Sequence, residues 1–382
     1  MVASTALLER GFGEVKRLCY AGLDAPALLR AVAARVARLA PFEAYCAQTN
    51  DPVSGLLTQV LTTAAFGDKE HRQYLERIYF QADRDEQLKM LWNRVSVVRL
   101  SDMTGGKLER APRCSDITGP LGLHYEVLAI CAVGRQQWGG INLIRERGRP
   151  DFDPREVAFL RRIAPHVAAG LQAATLRTLA TRKPEAESVP GLLVLDDRGR
   201  VTQFTQAAEH YLRELDDLGP EWRDGSSLPA PVWITVGALR RALTPETDRD
   251  RQSAPRLCVQ TRAGRWLTLH GARTLSDGDN QGEMVVIIEP SQPRELAWLR
   301  ASAYGFSERE RAVADRVAQG ATTKEIAGAL CISEYTVQEH LSHIFDKVGV
   351  RGRQALVRQL FFDHLAPQIL TTSLDHEQNA LG

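Results

Sequence analysis

The sequence predicts a multidomain chain in which two α+β domains are followed by an all-α four-helix domain. Three observations predict it. Two polar, proline-bearing breaks divide 382 residues, a length suited to two or three domains. The first two parts mix short apolar runs with helical stretches, whereas the last shows only helical periodicity. In that last part the helix starts are marked by capping residues at fixed spacing.

Composition is that of an ordinary globular protein, with 44% hydrophobic and 25% charged residues. A net charge of +1 gives no chain-wide electrostatic case for nucleic acid, so any DNA-binding surface must be local. Arginine outnumbers lysine 41 to seven, which reflects a GC-rich genome rather than a function. Six cysteines (Cys19, Cys46, Cys114, Cys131, Cys258 and Cys331) show no paired spacing. That argues against a zinc module or a disulfide framework and implies reduced thiols. No apolar run reaches 18 residues and no basic-then-apolar leader is present. A cytoplasmic protein with no membrane partner, no cofactor and no metal is expected.

The breaks fall at Thr181–Ser188 and at Pro290-Ser291-Gln292-Pro293. They set expected domains at 1–180, 188–290 and 300–366, with a fraying tail at 367–382. In the first domain a helix is expected near Pro26–Leu39, followed by the apolar run Phe42–Ala47. The runs Leu123–Val133 and Trp138–Ile144, separated by Gly134-Arg135-Gln136-Gln137, predict a hairpin. Asp153-Pro154 then opens a helix with Val157, Leu160, Ile163, Val167 and Leu171 on one face. The stretches Trp138–Leu143 and Asp153–Val157 resemble the closing strand and helix of the GAF family. The resemblance implies a GAF-like sensor domain.

The second domain opens on Pro190–Val201, a strand, an Asp/Arg/Gly turn and a second strand. A helix through Ala207, Ala208 and Leu212 follows, then strands at Leu257–Thr261, Trp266–His270 and Met284–Glu289. This order resembles the PAS family and implies a PAS-like domain, although Thr205 stands where that family usually has Asn.

In the last domain Ser307 with Glu310, and Thr322 with Glu325, each have capping-box spacing. Gly320 supplies a left-handed stop after the first helix. Ser333 caps a third helix over about Glu334–Val348, and a fourth is expected at Arg353–Phe362. At 100° per residue, Val337, Leu341, Ile344 and Val348 form one stripe that must face a core. Gln338, Glu339 and Ser342 fall on the opposite side, with His343 at its edge. That is where a helix-turn-helix presents its second helix to the major groove.

At these residues the chain resembles the LuxR-type helix-turn-helix family. Phe306–Glu310, Glu325-Ile326-Ala327, Leu330, Ser333, Thr336-Val337, His340, Ile344, Lys347, Gly349-Val350 and Arg353 match its signature in order and spacing. The resemblance implies a bacterial transcriptional regulator that binds double-stranded DNA as a homodimer, with RNA polymerase as a further partner. It implies base-edge contacts by Gln338, Glu339 and Ser342. It also implies phosphate or sugar contacts by Thr323, Lys324, Thr336, Lys347 and Arg353, with Ser333, His340 and His343 beside them. The family commonly has Lys at the position of Gln338. Blander readings stay open: His340 as a packed boundary ring, Lys347 and Arg353 as solvated cations at helix ends, and Glu339 as excluded by phosphate repulsion.

For the front half the expected role is to sense a small-molecule effector or to mediate dimerisation. Phe42, Tyr45, Trp92, Val97, His124, Cys131 and Trp138 are the candidates to line a cavity, with plain core packing as the alternative. A redox or metal sensor built on Cys114, His124 and Cys131 is a second reading, although their spacing matches no known ligand pattern. An enzyme fused to a DNA-binding tail is a third. No GxSxG, P-loop, HExxH or GxGxxG occurs in its required context, so no catalytic residue is expected.

Overall fold

A computed structural model describes residues 5–63, 73–74, 95–134, 136–180, 189–216, 222–224, 228–243, 254–274 and 282–362. The expected break at 181–188 and the tail at 367–382 lie outside them. The described residues divide into two compact units, one within 1–175 and 189–290, the other within 176–188 and 291–382. Among them no helix is long and apolar enough to cross a membrane.

The first unit begins with α1 (Thr5–Cys19) and α2 (Ala25–Val36). The Asp24 side chain caps α2 by accepting from the Ala27 N–H at 2.7 Å. Five strands follow: β1 (Ala44–Asn50), β2 (Leu57–Thr62), β3 (Val97–Arg99), β4 (Leu123–Val133) and β5 (Gln136–Glu146). They pair antiparallel in the order β2-β1-β5-β4-β3. The expected hairpin is present, but its loop is shorter than the four residues predicted. Gly134, at φ 61°, supplies the left-handed corner and the ladder resumes at Gln136. After β3 a short helix, α3 (Leu100–Thr104), ends in Gly105 and Gly106, both at positive φ.

A long helix, α4 (Pro154–Ala180), closes the first sheet. Asp153 and Glu156 cap it reciprocally, through Glu156 N–H to Asp153 Oδ1 and Asp153 N–H to Glu156 Oε2, both 2.9 Å. Val157, Leu160, Ile163, Val167 and Leu171 are buried along it, as their spacing predicted. Leu171 lies against the sheet at Gly139, where a side-chain Cβ would strike it. The sheet face carrying Tyr45, Ala47, Val127, Ala129, Ile141 and Leu143 is therefore the helix-packed face.

The second sheet comprises β6 (Gly191–Leu195), β7 (Val201–Phe204), β8 (Arg256–Gln260), β9 (Trp266–Arg273) and β10 (Met284–Pro290). Its order, β7-β6-β10-β9-β8, repeats that of the first sheet, and again every pair is antiparallel. Between its second and third strands lie α5 (Gln206–Leu215) and α6 (Ala230–Ala242). Thr205 caps α5 by accepting from Ala208 N–H, and also accepts from Leu192 N–H at 2.9 Å. Leu193, Leu195, Leu267, Leu269, Val286 and Ile288 pack with Trp222 and Trp233 in one apolar core.

The second unit is helical: α7 (Pro293–Ala303), α8 (Glu308–Ala318), α9 (Thr323–Leu330), α10 (Glu334–Val348) and α11 (Arg353–Val357). This differs from the expected four helices in two ways. The stretch predicted as a linker contains the start of α7, with Pro293 in the first turn and a capping box between Gln292 and Glu295. The fourth predicted helix is α-helical only to Val357 and continues as a wider π-type turn over Arg358–Phe362. Val313, Val317, Ile326, Val337, Leu341, Ile344, Leu356 and Leu360 form the core. Arg300 donates to the carbonyl oxygens of Leu179 and Gln359, tying the end of α4 and the terminal turn to α7.

Candidate nucleic-acid interface

Helices α8, α9 and α10 each start where a side chain satisfies free N–H groups. Ser307 Oγ accepts from Glu310 N–H at 3.2 Å, and Glu310 accepts in return from Ser307 N–H at 2.6 Å. Thr322 and Glu325 repeat the arrangement at the head of α9, and Ser333 Oγ accepts from Thr336 N–H at the head of α10. Such caps stabilise a helix by about 1 kcal/mol each. Because their positions are fixed by sequence, they also fix which residues face outward.

The turn between α9 and α10 is tight. Its corner is Cys331, at φ 52° and ψ 47°, a left-handed conformation that costs a β-carbon-bearing residue about 1 kcal/mol. Cys331→Gly is therefore expected to raise the stability of this unit by about 0.5–1 kcal/mol, less than the full strain because glycine loses more backbone entropy on folding. A chemical-denaturation midpoint lower than that of the parent would contradict the strain assignment.

On α10, Val337, Leu341 and Ile344 are buried, Val337 at 0% exposure, and Val348 is half-buried. Gln338, Glu339, Ser342 and His343 are exposed, and Thr336 and His340 are half-buried. From the neighbouring elements Lys324 and Ser333 are exposed, while Thr323 and Arg353 are half-buried. Thr323 is a hub: its hydroxyl accepts from Gln338 Nε2 at 3.2 Å and from Arg353 Nη2 at 2.8 Å. Arg353 also donates to Ala321 O at 2.7 Å. Three residues expected to touch DNA are thus held together before any DNA arrives. The Gln338 amide keeps its carbonyl oxygen and one N–H for a base edge.

Lys347 is placed differently from expectation. Its ammonium donates to Gly305 O at 2.9 Å and to both carboxylate oxygens of Glu310, at 2.9 and 2.6 Å. An ammonium has three N–H donors, and all three are engaged. The cause is Glu310, whose side chain is only 6% exposed and needs a cation to be tolerated there. Burial pushes the Glu310 carboxyl up, but the Lys347 and Ser307 hydrogen bonds outweigh it and hold it below its ordinary value of 4.5. Lys347 is a structural partner of α8, not a free cation for phosphate.

One residue escaped the sequence-based assignment. Tyr335, in the first turn of α10, is 73% exposed and lies three and four positions before Gln338 and Glu339. Its signal was available as the one aromatic on the polar side of an otherwise regular amphipathic stripe. The outward surface of α10 also carries Glu334, Glu339 and Asp346, so positive charge comes from Lys324, Arg351 and Arg353 rather than from the helix itself.

In the first sheet the proposed cavity residues do not converge. Tyr45, Val97 and Cys131 share the helix-packed face, and Tyr45 stacks edge-on against Phe42 at 5.8 Å. Trp138 is the extra residue where the register steps from Cys131–Gly139 to Ala132–Gln137, so it has no cross-strand partner among them. His124 packs against Tyr125 near the start of β4, and Trp92 is outside the described residues. The alternative metal or redox set fares similarly. His124 and Cys131 are seven residues apart on β4, roughly 23 Å at strand rise, too far to share an ion with Cys114. Burial raises the Cys131 thiol to about 12, so it is no ready thiolate. The polar side chains that do meet over this sheet are Arg113, Tyr74, Glu126 and Asn142, none of them anticipated.

Residues 305–360 match the family of bacterial regulatory proteins, luxR family. Over 55 residues, 14% of this chain and 74% of the relative, the sequence is 48% identical to the spore germination protein GerE of Bacillus subtilis (strain 168). It is 47% identical over 56 residues to the probable HTH-type transcriptional regulator GfsR of Streptomyces halstedii, covering 14% of this chain but 23% of GfsR. Among solved structures, the GAF domain/HD domain protein from Geobacter sulfurreducens is 16% identical, with a TM-score of 0.31 over 40% of this chain and 96% of that one. That likeness is too slight to assign a fold to either sheet.

Proposed function

The chain belongs to the luxR family of bacterial regulatory proteins, and from that premise we propose that it regulates transcription by laying α10 in the major groove. One observation carries the reading: Gln338, Glu339 and Ser342 stand outward, directly opposite the buried Val337–Ile344 seam. Gln338 suits adenine, which offers an acceptor and a donor to one amide, and Glu339 suits the amino group of cytosine. Lys324, Ser333, Thr336 and Arg353 flank them and take the backbone, while His340, His343 and Thr323 set the edges of the contact. No catalytic role is assigned.

Electrostatics makes a single copy a weak binder. Residues 300–366 contain nine Lys or Arg against eight Asp or Glu, and Lys347 is already paired. Two copies on half-sites about one helical turn apart, roughly 10 bp, supply the missing affinity. The two sheet domains, GAF-like and PAS-like, provide the dimer contacts or bind a small-molecule effector. An effector shifts DNA binding only by its differential affinity for the two states of the chain.

Gln338→Ala tests the base-reading role. It is expected to lose about 1–3 kcal/mol at the cognate site and to relax preference at one base position. Titration of cognate and scrambled duplexes at one salt concentration reports both. An equal loss on every duplex would make Gln338 a positioning residue and overturn the assignment.

A further inference from the structure

Resting on the regulator reading above, we infer that Tyr335 is a further specificity residue, whose ring closes on the 5-methyl group of a thymine beside the base pair met by Gln338. Helical geometry places it. At about 100° per residue, Tyr335 lies within about 60° of Gln338, Glu339 and Ser342, and about 120–180° from Val337, Leu341 and Ile344. It therefore stands in the middle of the outward face, not at its rim. It is also in the first turn of α10, and a helix-turn-helix meets base edges with the N-terminal residues of that helix.

The fold gives no reason for an aromatic there. The ring is 73% exposed, and among the described residues of the helical unit no other large apolar side chain is left so open. It stands outside the core that Val337, Leu341 and Ile344 join, and outside the half-buried side chains packed on that core, such as Leu330 and Val348. Tyrosine is also a weaker helix former than Ala, Lys or Glu, which suit an exposed position where packing decides nothing. A single exposed aromatic is ordinary on a protein surface. Its place on the helix, rather than its exposure, is what points to a ligand.

The neighbours of Tyr335 narrow what it meets. Glu334 and Glu339 flank it and are exposed. Carboxylates repel phosphate, so the partner at this end of α10 is the base edges rather than the DNA backbone. In the major groove an apolar side chain finds one matching feature, the methyl group of thymine. Gln338 follows three residues later, about 4.5 Å along the helix axis, close to the spacing of about 3.4 Å between stacked bases. The two side chains thus reach neighbouring base pairs, the amide by hydrogen bonds and the ring by apolar contact.

Replacing thymine by uracil removes that methyl group and nothing else. The whole 382-residue chain is taken through selection on randomised duplexes, and each thymine of the selected half-site is then replaced in turn. At one position the replacement is expected to weaken wild-type binding about 3–10-fold, the effect of burying one methyl group. Tyr335→Ala is expected to bind the thymine duplex more weakly by the same factor and to ignore that replacement. Tyr335→Phe keeps both the affinity and the sensitivity.

A uracil response of wild-type size in Tyr335→Ala overturns the inference. So does a wild-type chain indifferent to every replacement, or a motif with no thymine next to the position that Gln338→Ala relaxes. A Tyr335→Phe chain that behaves like Tyr335→Ala does the same, since the hydroxyl would then carry the contact. Thermal melting guards against a folding effect: Tyr335→Ala is expected to melt no lower than wild type, and a lower Tm would make Tyr335 a packing residue. The two readings fail differently. A selected motif that Gln338→Ala relaxes, without a uracil response, removes only Tyr335, whereas no motif at all removes the regulator reading itself.

Discussion

Val337→Asp is expected to unfold the DNA-binding unit outright. Val337 is fully buried among Val313, Ile326, Leu341 and Ile344, where α10 packs on α8 and α9. None of the residues around it in that core offers a cation. An unpaired buried carboxylate costs several kcal/mol beyond the lost packing, about 4 kcal/mol or more in all. A helical unit of about 60 residues is held by only about 3–9 kcal/mol. Far-UV circular dichroism should lose most of this unit's helical signal, and duplex binding should vanish with it. A variant that keeps both would mean that α10 does not bury this seam.

Lys347→Ala is expected to weaken the fold by about 2–3 kcal/mol while leaving the salt dependence of DNA binding unchanged. Removing one partner of a fully buried pair costs about 3–5 kcal/mol. The figure is lower here because the Lys347 side chain is 35% exposed and water screens the pair. The pH dependence has a definite sign. Glu310 has a lowered pKa in the folded chain, so the stability it contributes is present above about 4.5 and is lost as pH falls through the folded value. The penalty of Lys347→Ala should therefore be largest near neutral pH and shrink in acid, where Glu310 is protonated in parent and variant alike. Denaturation at neutral pH and in acid well below 4.5 tests this. A binding slope reduced by about one per lysine removed would restore Lys347 to the phosphate contacts.

These two positions mark what local sequence could and could not reveal. The Val337 stripe and the caps at Ser307, Thr322 and Ser333 are written within single turns of helix. Residues three and four apart decide them, so periodicity and spacing sufficed. Lys347 is different. A cation near a helix C-terminus looks the same whether it faces phosphate or a buried carboxylate, and its partner Glu310 lies 37 residues away.

The same limit explains the first sheet. Aromatic and apolar residues do not by themselves mark a cavity lining: Tyr45, Val97 and Cys131 lie on the face packed by α4. The informative pattern was polar residues interrupting apolar runs, Glu126 within Leu123–Val133 and Asn142 within Trp138–Ile144. Only the registry of β1, β4 and β5 shows that they meet. The start of helix α7 is hidden in the sequence because Pro290 and Pro293 resemble a linker. Proline in the first turn, with Glu295 three residues after Gln292, is equally a helix start.

The polar side of α10 is expected to read base sequence. Selection of the whole 382-residue chain on a library of randomised duplexes, at low salt, checks this. Enrichment of a two-fold symmetric motif with half-sites about 10 bp apart is expected, with loss of preference at one position of each half-site for Gln338→Ala. Recovery of the input library, with no motif enriched, would contradict it.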